Sequence, residues 1–222
     1  MATTYQSERF GTLEDARRTA RDAVHQVNAQ FVELLCSHAA VVAVPFPLPG
    51  ILREQLAGLT DDGRSRLARC GTLLVDLGLA DPHRWRTDSA MPETSNWAIA
   101  RSGHWLLPHE AFLVAHATVL IVWSVLHSNS PESDVLLGTT SEAARVIATM
   151  GVKELSEIAQ RHPEWVRVRW GNVPHVWRDL LDFATASEPA RFRLLPLRCL
   201  QMSGSLLLRQ GQRLPQQRVQ LT

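Results

Sequence analysis

Cysteine is scarce in this chain, and its distribution argues against two classes of small protein. The 222 residues include three cysteines, Cys36, Cys70 and Cys199, which are far apart and show no Cys/His spacing. An odd, scattered set predicts neither a disulfide framework nor a structural zinc site. No metal and no cofactor are predicted, and free cysteines are typical of a reducing cytoplasm, so the predicted location is cytoplasmic.

Targeting and membrane segments are also missing from the pattern. The N-terminus lacks the basic and then apolar layout of a signal peptide. The longest apolar run, 111–126, contains His116, Thr118 and Ser124, and it is shorter than the ~20 residues that a bilayer span needs. The run is predicted to be a helix buried nearly all round, without a membrane partner.

Catalytic signatures are absent. The sequence has no GxSxG, HExxH, Walker loop or dinucleotide glycine pattern. His109 and His116 would share a helix face, but a metal there would need ligands from elsewhere. Cys70 and Cys199 have no histidine placed by the sequence to activate them. We therefore predict no catalytic residue and a protein that is not an enzyme.

Strong charge of one sign is lacking as well. The formal net charge is +1, while 45% of the residues are hydrophobic and 20% are charged. This is the composition of a folded chain with a real core, long enough for one or two domains. Because the net charge is close to zero, any contact with DNA has to come from a local patch.

The clearest pattern lies in the second half of the chain. Thr140 or Ser141 is suited to cap a short helix, and Gly151 is expected to end that helix in left-handed geometry. A second helix should stop at Pro163. Residues 166–170 then alternate apolar and cationic side chains, which indicates a strand with one solvated face.

A related pattern occurs earlier, at a constant offset of 91 residues, and Thr60 is suited to cap its second short helix. The aligned apolar pairs include Leu56 with Ile147, Leu67 with Ile158 and Val75 with Val166, and both copies are followed by a proline and a tryptophan, Trp85 or Trp177. We infer a diverged tandem duplication. The alternative is that two helix–turn–helix–strand units are alike because the same physics shapes both.

A long helix is predicted to precede the first copy, opening near Thr12. It carries a narrow seam of small and apolar residues, Ala16, Ala20, Ala23, Val27 and Phe31. A seam of this kind suits a helix–helix contact, so it is a candidate dimer or docking surface. Packing within its own chain is an equally good interpretation.

These patterns predict a mainly α fold made of two tandem helical units, each with a long helix, two short helices and a short strand, followed by a C-terminal helix. The predicted boundaries are 1–85 for the first unit, 86–106 for a linker, 107–210 for the second unit and 211–222 for a flexible tail. The C-terminal helix is expected at 193–208.

The second unit resembles the FlhD-type family of flagellar transcriptional regulators over roughly residues 107–208. The resemblance rests on Leu137-Gly138, Glu142-Ala143, Ala148, Leu155, Ile158-Ala159 and the ending at 166–170. It is a packing pattern and not a catalytic signature. The arginine and tryptophan content of 161–169 departs from the family pattern.

The resemblance implies a function. Chains of that family form helical dimers that join a zinc-bearing FlhC-type subunit to activate flagellar promoters. It thus implies a non-enzymatic bacterial transcription regulator or co-regulator that acts through protein–protein assembly, with DNA as a second partner. The chain itself is expected to be a monomer or a homodimer, because the repeat lets one chain mimic a family dimer. The alternative is a protein–protein adaptor, or an accessory component of a motility or secretion apparatus, that does not bind DNA.

One cluster of side chains is chemically suggestive. Its basic members, the candidate DNA- or partner-binding residues, are Arg161, His162, Arg167, Arg169 and Arg178, and they are interleaved with Trp165, Trp170 and Trp177. Arginines of this kind hold phosphates or acidic side chains. The alternative is a solvated strand face whose arginine stems cover the neighbouring tryptophans.

Overall fold

The computed structural model describes residues 2–41, 45–86, 105–128, 130–186 and 201, with side chains from residue 13 onward. Across these ranges the protein is mainly α-helical, as predicted, and the β-structure consists of one two-stranded sheet. The predicted tail at 211–222, most of the linker and most of the helix at 193–208 lie outside the described residues. Gln201, inside that predicted helix, is helical.

The described elements fall into two sets that share a long helix, two short helices and a short strand, and the second set has two further helices and a 3-10 turn in addition. The first unit consists of α1 (Ala2–Ala40), α2 (Gly50–Ala57), α3 (Asp61–Ala68) and β1 (Val75–Asp76). The second unit consists of α4 (Pro108–His127), α5 (Ser133–Leu137), α6 (Ser141–Thr149), α7 (Val152–Arg161), a 3-10 turn (Pro163–Trp165), β2 (Arg167–Val168) and α8 (Pro174–Thr185).

Local signals in the sequence set most of the helix ends. Thr60 and Thr140 cap α3 and α6 as expected, each accepting a backbone N–H bond at 3.2 Å. The prediction of left-handed geometry at Gly151 is wrong, since its φ is −77°. Among the described glycines, positive φ values occur instead at Gly71, at Gly78 and at Gly138, where φ is 68° at the end of α5.

Helix α1 differs from its prediction at the N-terminal end, because it begins at Ala2 and not near Thr12. Its 39 residues correspond to a length of about 58 Å. At the other end Arg53 takes the place of a C-cap residue. Its guanidinium donates to the carbonyls of Ala39, at 3.0 Å, and of Val41, so the last turn of α1 is satisfied by a side chain from α2.

The two units meet in a reciprocal arrangement. Helices α2 and α6 start 91 residues apart, as do α3 and α7, whereas the strands start 92 residues apart. The second unit thus has one extra residue before its strand, and the constant offset holds for these two pairs of short helices only. Strands β1 and β2 pair antiparallel, with Val75 opposite Val168 and Asp76 opposite Arg167.

The long helices also run antiparallel. His38 near the end of α1 contacts Glu110 in the first turn of α4 at 2.9 Å, and Arg21 of α1 contacts Glu132 beyond the end of α4 at 2.7 Å. Side chains of both units, among them Phe31, Leu56, Trp85, Leu155 and Trp177, belong to one buried cluster. The two predicted units therefore share a single core.

Candidate macromolecule-binding surfaces

The junction between the units is centred on the pair of short strands. The alternation in burial is confirmed, since Val166, Val168 and Trp170 are buried while Arg167 and Arg169 are half-buried. The strand is shorter than the predicted 166–170, because β2 has two residues, and its arginine face is not solvated. Burial lowers the pKa of Arg167 from its ordinary value, and the carboxylate of Asp76 opposes that shift. Arg167 is therefore a desolvated cation beside an acid of the first unit.

Arg169, in the second unit, forms hydrogen bonds with the first unit. Its Nη1 donates to Thr72 Oγ1 and to the carbonyl of Leu73, both at 3.1 Å, and its guanidinium carbon lies 4.9 Å from the centre of the Trp170 ring. Charge-assisted bonds of this kind are stronger than neutral ones. The side chain that was predicted to face a phosphate instead spans the junction.

A second arginine crosses the junction in the opposite direction. Arg84 of the first unit is 8% exposed and lies 4.5 Å from the centre of the Trp165 ring of the second unit. Burial is the main cause that lowers the pKa of Arg84 to about 10, so the group keeps its proton at neutral pH. Sequence reasoning missed Arg84, whose only signal is its position directly before Trp85.

The other predicted basic residues lie outside the junction. Arg161 and Arg178 are exposed, on α7 and α8. His162 is stacked on Trp165, with ring centres 4.4 Å apart and planes 10° from parallel, and its Nδ1 is 3.0 Å from Glu164 Oε1. The five predicted residues therefore do not form one free basic surface. The alternative interpretation, a solvated face with arginine stems over tryptophans, does not describe Arg169, because its guanidinium lies over the Trp170 ring and the side chain is half-buried.

Gly138 gives a sharp test of the junction. A Cβ built on Gly138 would lie 1.6 Å from Arg169 Nη2, and the φ of 68° is a conformation that side chains disfavour. We expect Gly138→Ala to lower the free energy of unfolding by about 2–4 kcal/mol, because left-handed strain adds to the loss of the Arg169 bonds. Urea unfolding followed by tryptophan fluorescence measures this change.

Gly151 supplies the matched control. A Cβ at Gly151 would meet no atom within 4 Å, and its backbone is extended with φ of −77°. We expect Gly151→Ala to lower the free energy of unfolding by less than about 1 kcal/mol, because alanine fits this backbone but is a poorer N-cap of α7 than glycine. Equal effects at the two glycines would contradict the role given to Arg169.

The predicted docking seam of α1 lies inside the chain and is not a free surface. Ala20, Val27 and Phe31 are 1%, 4% and 0% exposed, and they belong to the shared core. Ala16 and Ala23 are half-buried. The alternative interpretation, packing within the same chain, is the one that the structure supports.

Helix α4 is more exposed than predicted. Its most apolar 18-residue window has a mean hydropathy of 1.6, yet only 39% of that window is buried, and Leu113 is 60% exposed. By length and composition, α4 is the one helix of the described ranges that meets the requirements of a membrane span. Core helices meet the same requirements, so this property alone assigns no membrane role. The prediction that α4 is buried nearly all round is wrong.

The corresponding face of the first unit is polar. A groove of about 320 Å³ between α1 and α3 is lined by His25, Glu33, Asp61 and Arg64. Arg64 Nη1 bonds Glu33 Oε2 at 3.0 Å across this groove. Burial and the nearby charge of Arg69 lower the pKa of His25. The groove is thus bridged by an ion pair.

Metal-binding and thiol chemistry find little support in the part of the chain that the structure describes. It contains no group of three or more His, Cys, Asp or Glu side chains that could hold a metal ion. His109 is exposed, and His116 Nε2 is 3.2 Å from Ser156 Oγ. Cys36 and Cys70 are buried, and burial raises the pKa of the Cys36 thiol to about 11, which keeps it protonated at neutral pH.

No family model, curated protein or solved structure matches this chain.

Proposed function

We propose that this protein is a non-enzymatic bacterial transcription regulator or co-regulator of the FlhD-like type, acting in the cytoplasm through protein–protein assembly. The observation that carries the proposal is the reciprocal antiparallel pairing of β1 and β2 at the junction, where each unit also sends one arginine, Arg84 or Arg169, to the other unit from positions that the repeat does not relate. One chain thereby provides two like units that face each other.

Further contacts at the junction follow the same reciprocal scheme. Thr139, in the loop before α6, donates to the carbonyl of Leu79 after β1 at 2.8 Å. On the other side, the position of a Cβ on Gly171, after β2, is 3.5 Å from the carbonyl of Pro47, in the loop before α2. Self-complementary contacts of this form are those of a two-fold dimer interface. They support a fused equivalent of a helical dimer.

DNA contact, in this proposal, belongs to the exposed arginines and not to the strand. Arg167 and Arg169 are engaged within the junction, whereas Arg161 and Arg178 are exposed. Since the net charge is only +1, binding through two arginines is expected to be weak when the chain acts alone. A partner subunit would have to supply the remaining phosphate contacts.

The test is a gel-shift titration of the full chain on a flagellar-promoter duplex, with and without an FlhC-type subunit, at several salt concentrations. We expect a complex that needs the subunit. Replacing both Arg161 and Arg178 by alanine should reduce the slope of log affinity against log salt by about 0.9 for each phosphate that is no longer neutralised. Arg169→Ala is the matched control, and it should lower stability while leaving the salt slope of the folded protein unchanged.

The possible outcomes separate the hypotheses. A complex with the subunit that never binds DNA would favour the alternative, a protein–protein adaptor of a motility or secretion apparatus. Binding to neither the subunit nor the duplex would refute the regulator. A selective loss of DNA binding in Arg169→Ala, without a loss of stability, would contradict the structural role of that residue.

A further inference from the structure

The exposed side of α4 carries an apolar strip, which we call the α4 seam. It consists of Leu113, Ala117, Leu120 and Ser124, at spacings of four, three and four residues. Leu113 is 60% exposed, Ala117 and Leu120 are half-buried, and Ser124 is exposed. Residues 111–127 contain no Asp, Glu, Lys or Arg. The seam is therefore an uncharged strip that runs along one side of the helix.

The apolar character of the α4 seam is not needed for folding, because the corresponding positions on α1 of the first unit are mostly polar. The positions 91 residues earlier, on α1, are Asp22, Gln26, Ala29 and Glu33, and all but the half-buried Ala29 are exposed. Helix α1 packs on α3 as α4 packs on α7. The same place in the unit is thus polar and solvated in one copy and apolar in the other. Exposed apolar surface that folding does not need is a mark of an interaction site.

We infer that the α4 seam is a contact site for a second copy of this chain, with the two α4 helices antiparallel. A two-fold axis between Ala117 and Leu120 would set Leu113 against the partner's Ser124, and Ala117 against the partner's Leu120. Large side chains then meet small ones at each level, which is the alternation that close packing favours. The strip is self-complementary in the sense that a two-fold interface requires.

The lack of acidic, lysine and arginine side chains on α4 after Glu110 is compatible with contact between two copies of the chain. Because residues 111–127 have no acidic or basic side chain besides histidine, two copies meet without like-charge repulsion. The equivalent strip of α1 would place Asp22 and Glu33 in the contact, where desolvating them is costly. Only the second unit therefore offers a strip that can face its own copy.

The contact area of the α4 seam limits the expected affinity of the dimer. From Leu113 to Ser124 the α4 seam is about 17 Å long, so a strip ~10 Å wide covers about 170 Å², well below the ~800 Å² per partner of a stable interface. Leu107, 53% exposed, and Val152, 42% exposed, extend the apolar surface at the N-terminus of α4 and on α7. We therefore expect a weak dimer, with a dissociation constant on the order of micromolar.

The experiment is sedimentation velocity of the full chain between ~1 and ~100 µM, which brackets a micromolar dissociation constant. We expect the wild type to shift from monomer to dimer over this range. Leu113→Glu should weaken the dimer at least about tenfold, because it buries an unpaired charge. Gln26→Glu is the matched control, since it adds the same charge to the equivalent strip of α1, and it should leave the dimer unchanged.

The orientation has its own test, in a Cys199→Ser background. Antiparallel packing predicts that a chain with Ala117→Cys and a chain with Leu120→Cys form a mixed disulfide in preference to either self-linked pair. A preference for self-linked Ala117→Cys pairs would overturn the antiparallel arrangement. This assay needs neither DNA nor a partner subunit, so its result is separate from that of the proposed function.

Other occupants of the seam would appear as distinct outcomes, each of which overturns the inference. A chain that stays monomeric up to ~100 µM rules out a micromolar dimer. A monomer that dimerises only after residues 193–222 are removed would show that its own C-terminal segment covers the seam. A monomer that sediments with phosphatidylcholine–phosphatidylglycerol vesicles, and loses this with Leu113→Glu, would assign the seam to a lipid surface.

Discussion

Replacing Phe31 by alanine is expected to lower the free energy of unfolding by about 3–5 kcal/mol, the cost of removing a large aromatic side chain from a closed core. Phe31 is 0% exposed, and its ring meets Trp105 edge-on with centres 5.8 Å apart. Urea unfolding at a fixed protein concentration measures the effect, with the seven tryptophans of the chain as the probe.

This expectation separates the two interpretations of the α1 seam. If Phe31 belonged to a subunit contact, its replacement would dissociate an oligomer and leave the monomer close to its original stability. The control is Gln30→Ala, at the exposed neighbouring position of the same helix, which should change stability by less than about 0.5 kcal/mol. Dissociation without destabilisation would show that the seam faces another chain.

Replacing Asn28 by alanine should have an effect of similar size for a different reason. The buried Asn28 amide donates to the carbonyls of Ala68, at 3.1 Å, and Thr72, at 2.7 Å, and its Oδ1 accepts from the N–H of Leu74 at 2.8 Å. Alanine would remove all three bonds, leaving the Leu74 N–H and the Ala68 carbonyl without this partner, while the Thr72 carbonyl would keep the weak bond from Cys70 Sγ at 3.2 Å. At about 1–3 kcal/mol for each unmatched group, with partial relaxation, the expected loss is about 3–5 kcal/mol.

Thr118 provides the contrasting variant on α4. Its hydroxyl is buried and has no hydrogen-bond partner within the described residues. We expect Thr118→Val to leave the free energy of unfolding unchanged or slightly raised, because the removed polar group made no bond to lose. The same urea titration measures both variants. If Asn28→Ala were as mild as Thr118→Val, the account of Asn28 as the tie between α1 and the loop before β1 would be wrong.

Features that depend on neighbouring residues were predictable. The caps at Thr60 and Thr140 and the alternation along 166–170 were confirmed. A cap is a bond between residues three positions apart, and alternation follows from the two-residue period of an extended chain. Neither requires knowledge of what lies elsewhere in the molecule.

Features that depend on which surfaces meet were not predictable. The spacing of the α1 seam shows that one face of a helix is apolar, but periodicity does not say whether the covering atoms belong to the same chain. For α4 the error ran in the other direction, since a run of apolar residues suggested full burial while Leu113 is 60% exposed. A hydrophobic side chain gains free energy when it is buried, but its hydrophobicity does not show that another part of the protein packs against it.

The sequence by itself determined the mainly helical class, the repeated order of elements and the ends of most short helices, because these follow from contacts a few residues apart. Only the tertiary structure decided the roles of the arginines. Arg169 was predicted to meet a ligand, and the structure places Thr72 and Leu73 of the first unit in front of it. A guanidinium binds a backbone carbonyl with the same donors that it offers a phosphate, so its partner depends on what the fold brings within about 3 Å.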